Sequence, residues 1–115
     1  MAKTLNFNTI KKRYLTVTFA DDKKTTIMIG TPTKAIMDDL TSLQSEFEGR
    51  DNNEIQNNDE TMDELFATCA RLMSRNKGGV KITKEFLEEQ FDFEDIFTFF
   101  NAYMDFMNEL TNLKN

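Results

Sequence analysis

An α+β fold, an N-terminal β-hairpin or small antiparallel sheet followed by about four helices, is predicted by three features of this sequence. Leu15, Val17 and Phe19 alternate with Thr16 and Thr18, the period of a half-buried strand, and a second β-branched run follows at Thr25–Gly30. Thr31-Pro32 then opens a segment in which Ile36, Leu40, Leu43 and Phe47 recur at helical spacing. Beyond residue 58 the apolar residues keep that helical spacing almost to the C-terminus.

Residues 1–30 form the hairpin region. Asp21-Asp22-Lys23-Lys24 is polar and joins the two strands as a turn. Upstream, Leu5-Asn6-Phe7-Asn8-Thr9-Ile10 also alternates and predicts an added edge strand. A hairpin alone is marginal in water, so helices must cover its apolar face. The first is predicted over 31–48, with Thr31 capping, Pro32 in the first turn and Gly49 as the stop. Residues 49–58 are rich in Asp, Asn and Glu with Ile55 as the lone aliphatic residue, and read as an exposed loop.

The second helix is predicted over 59–76, where Met62, Leu65, Phe66, Cys69, Leu72 and Met73 make one stripe. Cys69 falls inside that stripe and reads as a small buried hydrophobe. Asn76-Lys77-Gly78-Gly79 closes the helix with glycines as a C-cap prefers. Thr83 caps a short third helix, 83–91, and Asp92 caps a long fourth one, 92–113, with Glu94 and Asp95 in its first turn.

The fourth helix carries more apolar residues than a surface helix of a small domain usually buries. Phe93, Ile96, Phe97, Phe100, Tyr103, Met104, Met107 and Leu110 form a broad stripe, which Phe99, Phe106 and Leu113 widen. Three placements are open: a central helix, an oligomer contact, or a client-facing surface. Phe99, Tyr103, Phe106, Met107, Leu110 and Leu113 are the candidate partner-binding residues.

Composition narrows the chemistry. The chain has 115 residues, 39% hydrophobic and 30% charged, suited to a single globular domain, 1–115. There is no histidine and one cysteine, so the commonest general base and a zinc ligand set are both missing. Asp92-Phe93-Glu94-Asp95 lacks the spacing of a calcium loop, and Gly78-Gly79 lacks that of a phosphate loop. The expectation is a protein-binding module, not an enzyme, with no cofactor and no metal. No apolar run reaches the roughly 20 residues a membrane helix needs, nor does the N-terminus carry a signal-like stretch, so a cytoplasmic location is expected.

Charge is uneven. Up to Met37, basic Lys3, Lys11, Lys12, Arg13, Lys23, Lys24 and Lys34 outweigh Asp21 and Asp22. From Asp38 onward acids dominate, and the whole chain carries −6. Such a dipolar chain could associate head to tail or steer toward a basic partner, although solubilising charge would have the same pattern.

Three stretches together resemble one family: Leu15-Thr16-Val17-Thr18-Phe19 leading to Thr31-Pro32-Thr33-Lys34; Leu72-Met73-Ser74-Arg75-Asn76-Lys77 with Val80-Lys81-Ile82-Thr83; and Asp92-Phe93-Glu94-Asp95-Ile96 through Phe100-Asn101-Ala102-Tyr103-Met104-Asp105-Phe106. In this order they are similar to tail assembly chaperones of long-tailed phages and prophages of Gram-positive bacteria. The resemblance implies a protein that binds the tape measure protein and keeps it soluble while tail-tube subunits polymerise around it. It also implies a place in the host cytoplasm, absence from the mature virion and, in many members, a longer form made by frameshifting. The tail tube protein is a further partner on this reading.

Two rivals stand beside it. A structural tail-completion or connector protein would form an oligomer and stay in mature particles. A nucleic-acid-binding module would align Lys11-Lys12-Arg13 with Lys23-Lys24 at one end of the hairpin and stack bases on Tyr14 or Phe19. The sequence pI of about 4.6 and the absence of a recognised motif disfavour nucleic acid.

Overall fold

In the computed structural model the described residues are 4–7 and 12–112, with side chains described as far as Glu109. The fold is α+β: a small two-stranded antiparallel sheet and helices after it, the last long and rich in aromatic residues. Strands β1 (Leu15–Thr18) and β2 (Thr26–Ile29) pair with Leu15 opposite Ile29 and Thr18 opposite Thr26. At the turn Asp21 accepts from the Thr25 hydroxyl at 2.6 Å and from its amide at 2.8 Å. Those two bonds, the hydroxyl's first, hold the Asp21 carboxyl below its ordinary pKa. Lys24 takes the left-handed φ of 50° that closes the turn. The predicted edge strand does not form at Thr4–Phe7, which is exposed and outside any strand, while Asn8–Ile10 lie outside the described residues.

Helix α1 runs Lys34–Phe47, and its cap is Thr33, not Thr31. The Thr33 hydroxyl accepts from the Ile36 amide at 3.3 Å, which sets the first helical residue at Lys34 and leaves Pro32 ahead of the helix. Gly49, at φ 75°, follows the helix end in the left-handed region. The segment read as an exposed loop contains a one-turn helix, α2 (Asn52–Gln56). Asp51 caps it by accepting from the Glu54 amide at 2.9 Å, and Ile55 anchors it in the core. One buried aliphatic side chain and one cap thus override a polar composition.

Helix α3 (Asp59–Met73), capped by Asn58, is the hub: it packs against α1, α2, α4, α5 and β2. Its Leu65, Cys69 and Met73 are fully buried. It stops at Met73, earlier than predicted, because Ser74 is drawn off to Ile82. Their contacts run from the Ile82 amide to the Ser74 hydroxyl at 3.0 Å and from that hydroxyl to the Ile82 carbonyl at 2.9 Å. Helices α4 (Lys84–Gln90, capped by Thr83) and α5 (Phe93–Asn112) follow. At the start of α5, Asp92 accepts from the Asp95 amide at 2.8 Å and Asp95 accepts from the Asp92 amide at 3.1 Å, a reciprocal capping pair.

The breadth of the α5 stripe is explained by two neighbours. Along one side, the rings of Phe97 and Phe100 meet the α1 residue Phe47 at 6.1 and 5.5 Å. Along the other, the Tyr103 hydroxyl donates to the carbonyl of Gly30, at the end of β2, at 2.7 Å. At the far end of the hairpin Phe19 is buried against Phe86 and Phe91, with ring centroids at 5.2 and 5.4 Å.

Beside the sheet, the chain from Ser74 to Ile82 is built as a cover for β2. Lys77 donates its amide to the Met28 carbonyl at 2.9 Å, and Asn76 bridges Ile29. The Asn76 side chain fixes that loop, donating to the carbonyls of Met73 at 2.8 Å and Val80 at 2.5 Å and accepting from the Val80 amide at 2.9 Å. The outer edge of β1, by contrast, has no strand beside it among the described residues.

Candidate functional site

Next to that open edge lies a groove of about 260 Å³, lined by Leu15, Thr16 and Val17 of β1, by Phe91, and by Asp95, Thr98, Phe99 and Ala102 of α5. Its origin is legible residue by residue. The inward side chains of β1 reach only partial burial at Leu15 and Val17, unlike Phe19, because α5 faces them with Thr98 and Ala102 where a large side chain would have closed the gap. Asp95, Thr98, Phe99 and Ala102 are spaced i, i+3, i+4 and i+7, one helical row. The row is small in the middle, aromatic on the floor and acidic at one end. A volume below the roughly 300–1,000 Å³ of small-molecule sites, open along a strand edge, fits side chains of another polypeptide better than an enclosed ligand.

Tyr103, Phe106 and Met107, expected at a partner surface, do not line this groove. Phe99, Tyr103 and Phe106 are buried at 5%, 1% and 9% exposure in the chain by itself, so they are core side chains and not a presented face. Hydrophobic packing explains this: Tyr103 sits between Phe99 and Phe106, with ring centroids at 6.2 and 5.7 Å, and its hydroxyl is satisfied by Gly30. Burial raises the Tyr103 pKa, with Arg75 acting weakly in the opposite direction. Met107 is half-buried against the same core. The Leu110 side chain and Leu113 lie outside what is described. Of the predicted set, Phe99 alone also lines the groove, as its floor.

The groove walls were absent from the candidates. Leu15 and Val17 carried the strand signal, but alternation alone does not tell a covered face from a half-covered one. The signal available was the pair Thr98 and Ala102, two small residues four apart on an otherwise aromatic helix.

Other features are structural. Cys69 is completely buried, and burial pushes its thiol well above the ordinary value, so it is not a ready thiolate. Among the described residues no grouping of three or more His, Cys, Asp or Glu side chains could hold a metal ion. Glu64 is raised above its ordinary pKa, chiefly by the charge of Glu46 across the α1–α3 contact. The two basic groups read as one nucleic-acid surface are not brought together among the described residues. Lys12 and Arg13 precede β1 while Lys23 and Lys24 sit in the turn, at opposite ends of the strand, because an antiparallel hairpin places its turn away from its entry. Phe19 is buried and not free to stack, and the Tyr14 ring is already met by the Lys77 ammonium at 5.7 Å.

No helix among the described residues is long and apolar enough to cross a membrane. The chain matches no family model, no curated protein and no solved structure.

Proposed function

We propose that this chain is a phage tail assembly chaperone that binds the tape measure protein in the β1/α5 groove and keeps it soluble until tail-tube subunits enclose it. The observation that carries this reading is the groove itself: apolar walls at Leu15, Val17, Phe91 and Ala102 beside a strand edge with no partner strand among the described residues. An amphipathic client aggregates through its apolar stripes, and a shallow apolar groove covers such side chains reversibly without demanding one sequence. Asp95 at the groove, with Asp92 and Glu94 beside it, suits clients that carry lysine or arginine next to their apolar residues. The resemblance of the three quoted stretches, in order along most of the chain, supplies the client's identity. On this reading the protein works in the host cytoplasm by mass action, without a nucleotide, and is absent from the finished particle.

Co-expression with the tape measure protein of the same gene cluster tests the proposal. Wild-type chain should keep that client in the soluble fraction and co-purify with it, and Ala102→Arg, at an exposed groove position, should lose at least 10-fold of the captured client. A client that stays insoluble with either protein, together with a stable ring of this chain present in mature particles, would favour the tail-completion or connector reading.

A further inference from the structure

We infer that the face joining the end of α3 to the start of α4 is a second docking site, which takes an acidic segment of a partner polypeptide and seats its apolar side chains among lysines and arginines. Six of the eleven lysines and arginines among the described residues line two cavities on this face. Arg71, Arg75, Lys81 and Lys84 rim one of about 640 Å³. Lys12, Arg75 and Lys77 line one of about 210 Å³, so Arg75 joins the two into a strip. Glu85 is the one acid among the described residues that line them, in a chain that carries −6 overall. The larger cavity has an apolar floor of Ile36, Ala70 and Ile82. Its walls are fixed by the Ser74 hydroxyl, bonded to both the amide and the carbonyl of Ile82.

Internal needs of the fold account for only part of this charge. Arg71 is held by Asp39 and lies in the last turn of α3, where the helix dipole favours a cation. Lys84 is met by Asp63 at 3.2 Å and by Glu88 at 3.5 Å. Arg75 and Lys81 are exposed and have no carboxylate partner among the described residues, and Lys77 has the Tyr14 ring alone. Lys81 also stands just ahead of α4, the end of a helix at which a cation is disfavoured. Cations without an acid of their own chain, ranged over an apolar floor, match a ligand that carries both carboxylates and apolar side chains. A nucleic acid fits less well, because bases need a ring to stack on. No aromatic side chain lines the larger cavity, and Tyr14, in the smaller one, is already met by Lys77. The strip shares no lining residue with the β1/α5 groove, and its charge is opposite to that of Asp95 there. A segment suited to one is repelled by the other, so this site serves a second partner, whether or not a client fills the groove.

Fluorescence anisotropy of the full chain with a labelled peptide of glutamates, interrupted at every third position by leucine, tests this. The titration runs in about 0.1 M salt, where exposed charges more than about 10 Å apart are screened and the local strip decides binding. Arg75→Glu/Lys81→Glu should weaken binding at least about 10-fold with unchanged melting, both positions being exposed. Should that pair melt early, Arg75→Gln/Lys81→Gln removes the same two cations and should weaken binding at least about 5-fold. Lys23→Glu/Arg50→Glu matches the first pair in net charge, on exposed residues that line neither cavity, and should stay within about 2-fold of wild type. Polyglutamate of equal length, which cannot fill the apolar floor, should bind about 5-fold more weakly than the leucine peptide. Absence of binding, an equal loss in the Lys23/Arg50 pair, or polyglutamate binding as tightly as the leucine peptide would each overturn the inference. Oligothymidylate binding more tightly than the peptide would overturn it in favour of a nucleic-acid face.

Discussion

The outer edges of β2 and β1 meet very different surroundings. Beside β2, the Ser74–Ile82 segment supplies the Lys77 amide and the Asn76 bridge, and the strand's Ile27 and Ile29 are buried against the helices. Beside β1 there is no strand among the described residues, and Leu15 and Val17 are only half-covered. Natural sheets commonly protect an edge with a loop, a charge or a bulge. Here the protection is spent on one side, and the unprotected side adjoins an apolar groove. An interaction site in this fold is therefore defined by what the helices leave uncovered, and not by where the aromatic residues are densest.

Substitutions at the two edges should have very different effects. The largest effect belongs to the covered side: Ile29→Ala empties a fully buried position, and urea denaturation should show a loss of about 2–5 kcal/mol. Asn76→Ala removes the three hydrogen bonds described for that side chain, leaving the carbonyls of Met73 and Val80 and the amide of Val80 without it. It should cost about 1–3 kcal/mol and speed hydrogen exchange at the Lys77 amide, as the cover over β2 loosens. Tyr103→Phe, which deletes the link between α5 and Gly30, should lower stability by about 1 kcal/mol while the ring keeps its packing. On the open side, Ala102→Arg should change stability by no more than about 0.5 kcal/mol although it lowers client capture at least 10-fold.

The smallest effect lies away from both edges. Glu64 has its folded-state pKa raised by Glu46, so the folded chain holds that proton more tightly than the unfolded one and loses stability as pH rises through the folded pKa. Glu64→Gln escapes the loss. Its urea midpoint should gain on wild type as pH rises from about 4 through the folded-state pKa and run parallel above.

Much of the fold was legible because local signals agreed with tertiary needs. The Thr/apolar alternation of β1, the stripe from Met62 to Met73, and the caps Thr83 and Asp92 all have counterparts in the structure. The α1 start was misplaced because Thr31 and Thr33 flank the same proline, and only the reach of a hydroxyl to Ile36 distinguishes them. The α2 turn was hidden because a single Ile55 among polar residues gives no periodicity. The site was the least legible part. Periodicity ranks how apolar a helix face is, but cannot say which neighbours cover it. Phe99 and Phe106 turned out to be covered by their own chain, while the modest Thr98 and Ala102 leave the gap.

Docking of partners at the β1/α5 groove can be read out by hydrogen–deuterium exchange on the chain alone and on the complex co-purified with the tape measure protein. New protection is expected across 12–19 and 91–105, with little change at 74–82, where β2 is already covered. Protection confined to the α1–α3–α4 face, with 12–19 exchanging as fast in the complex as in the free chain, would contradict it.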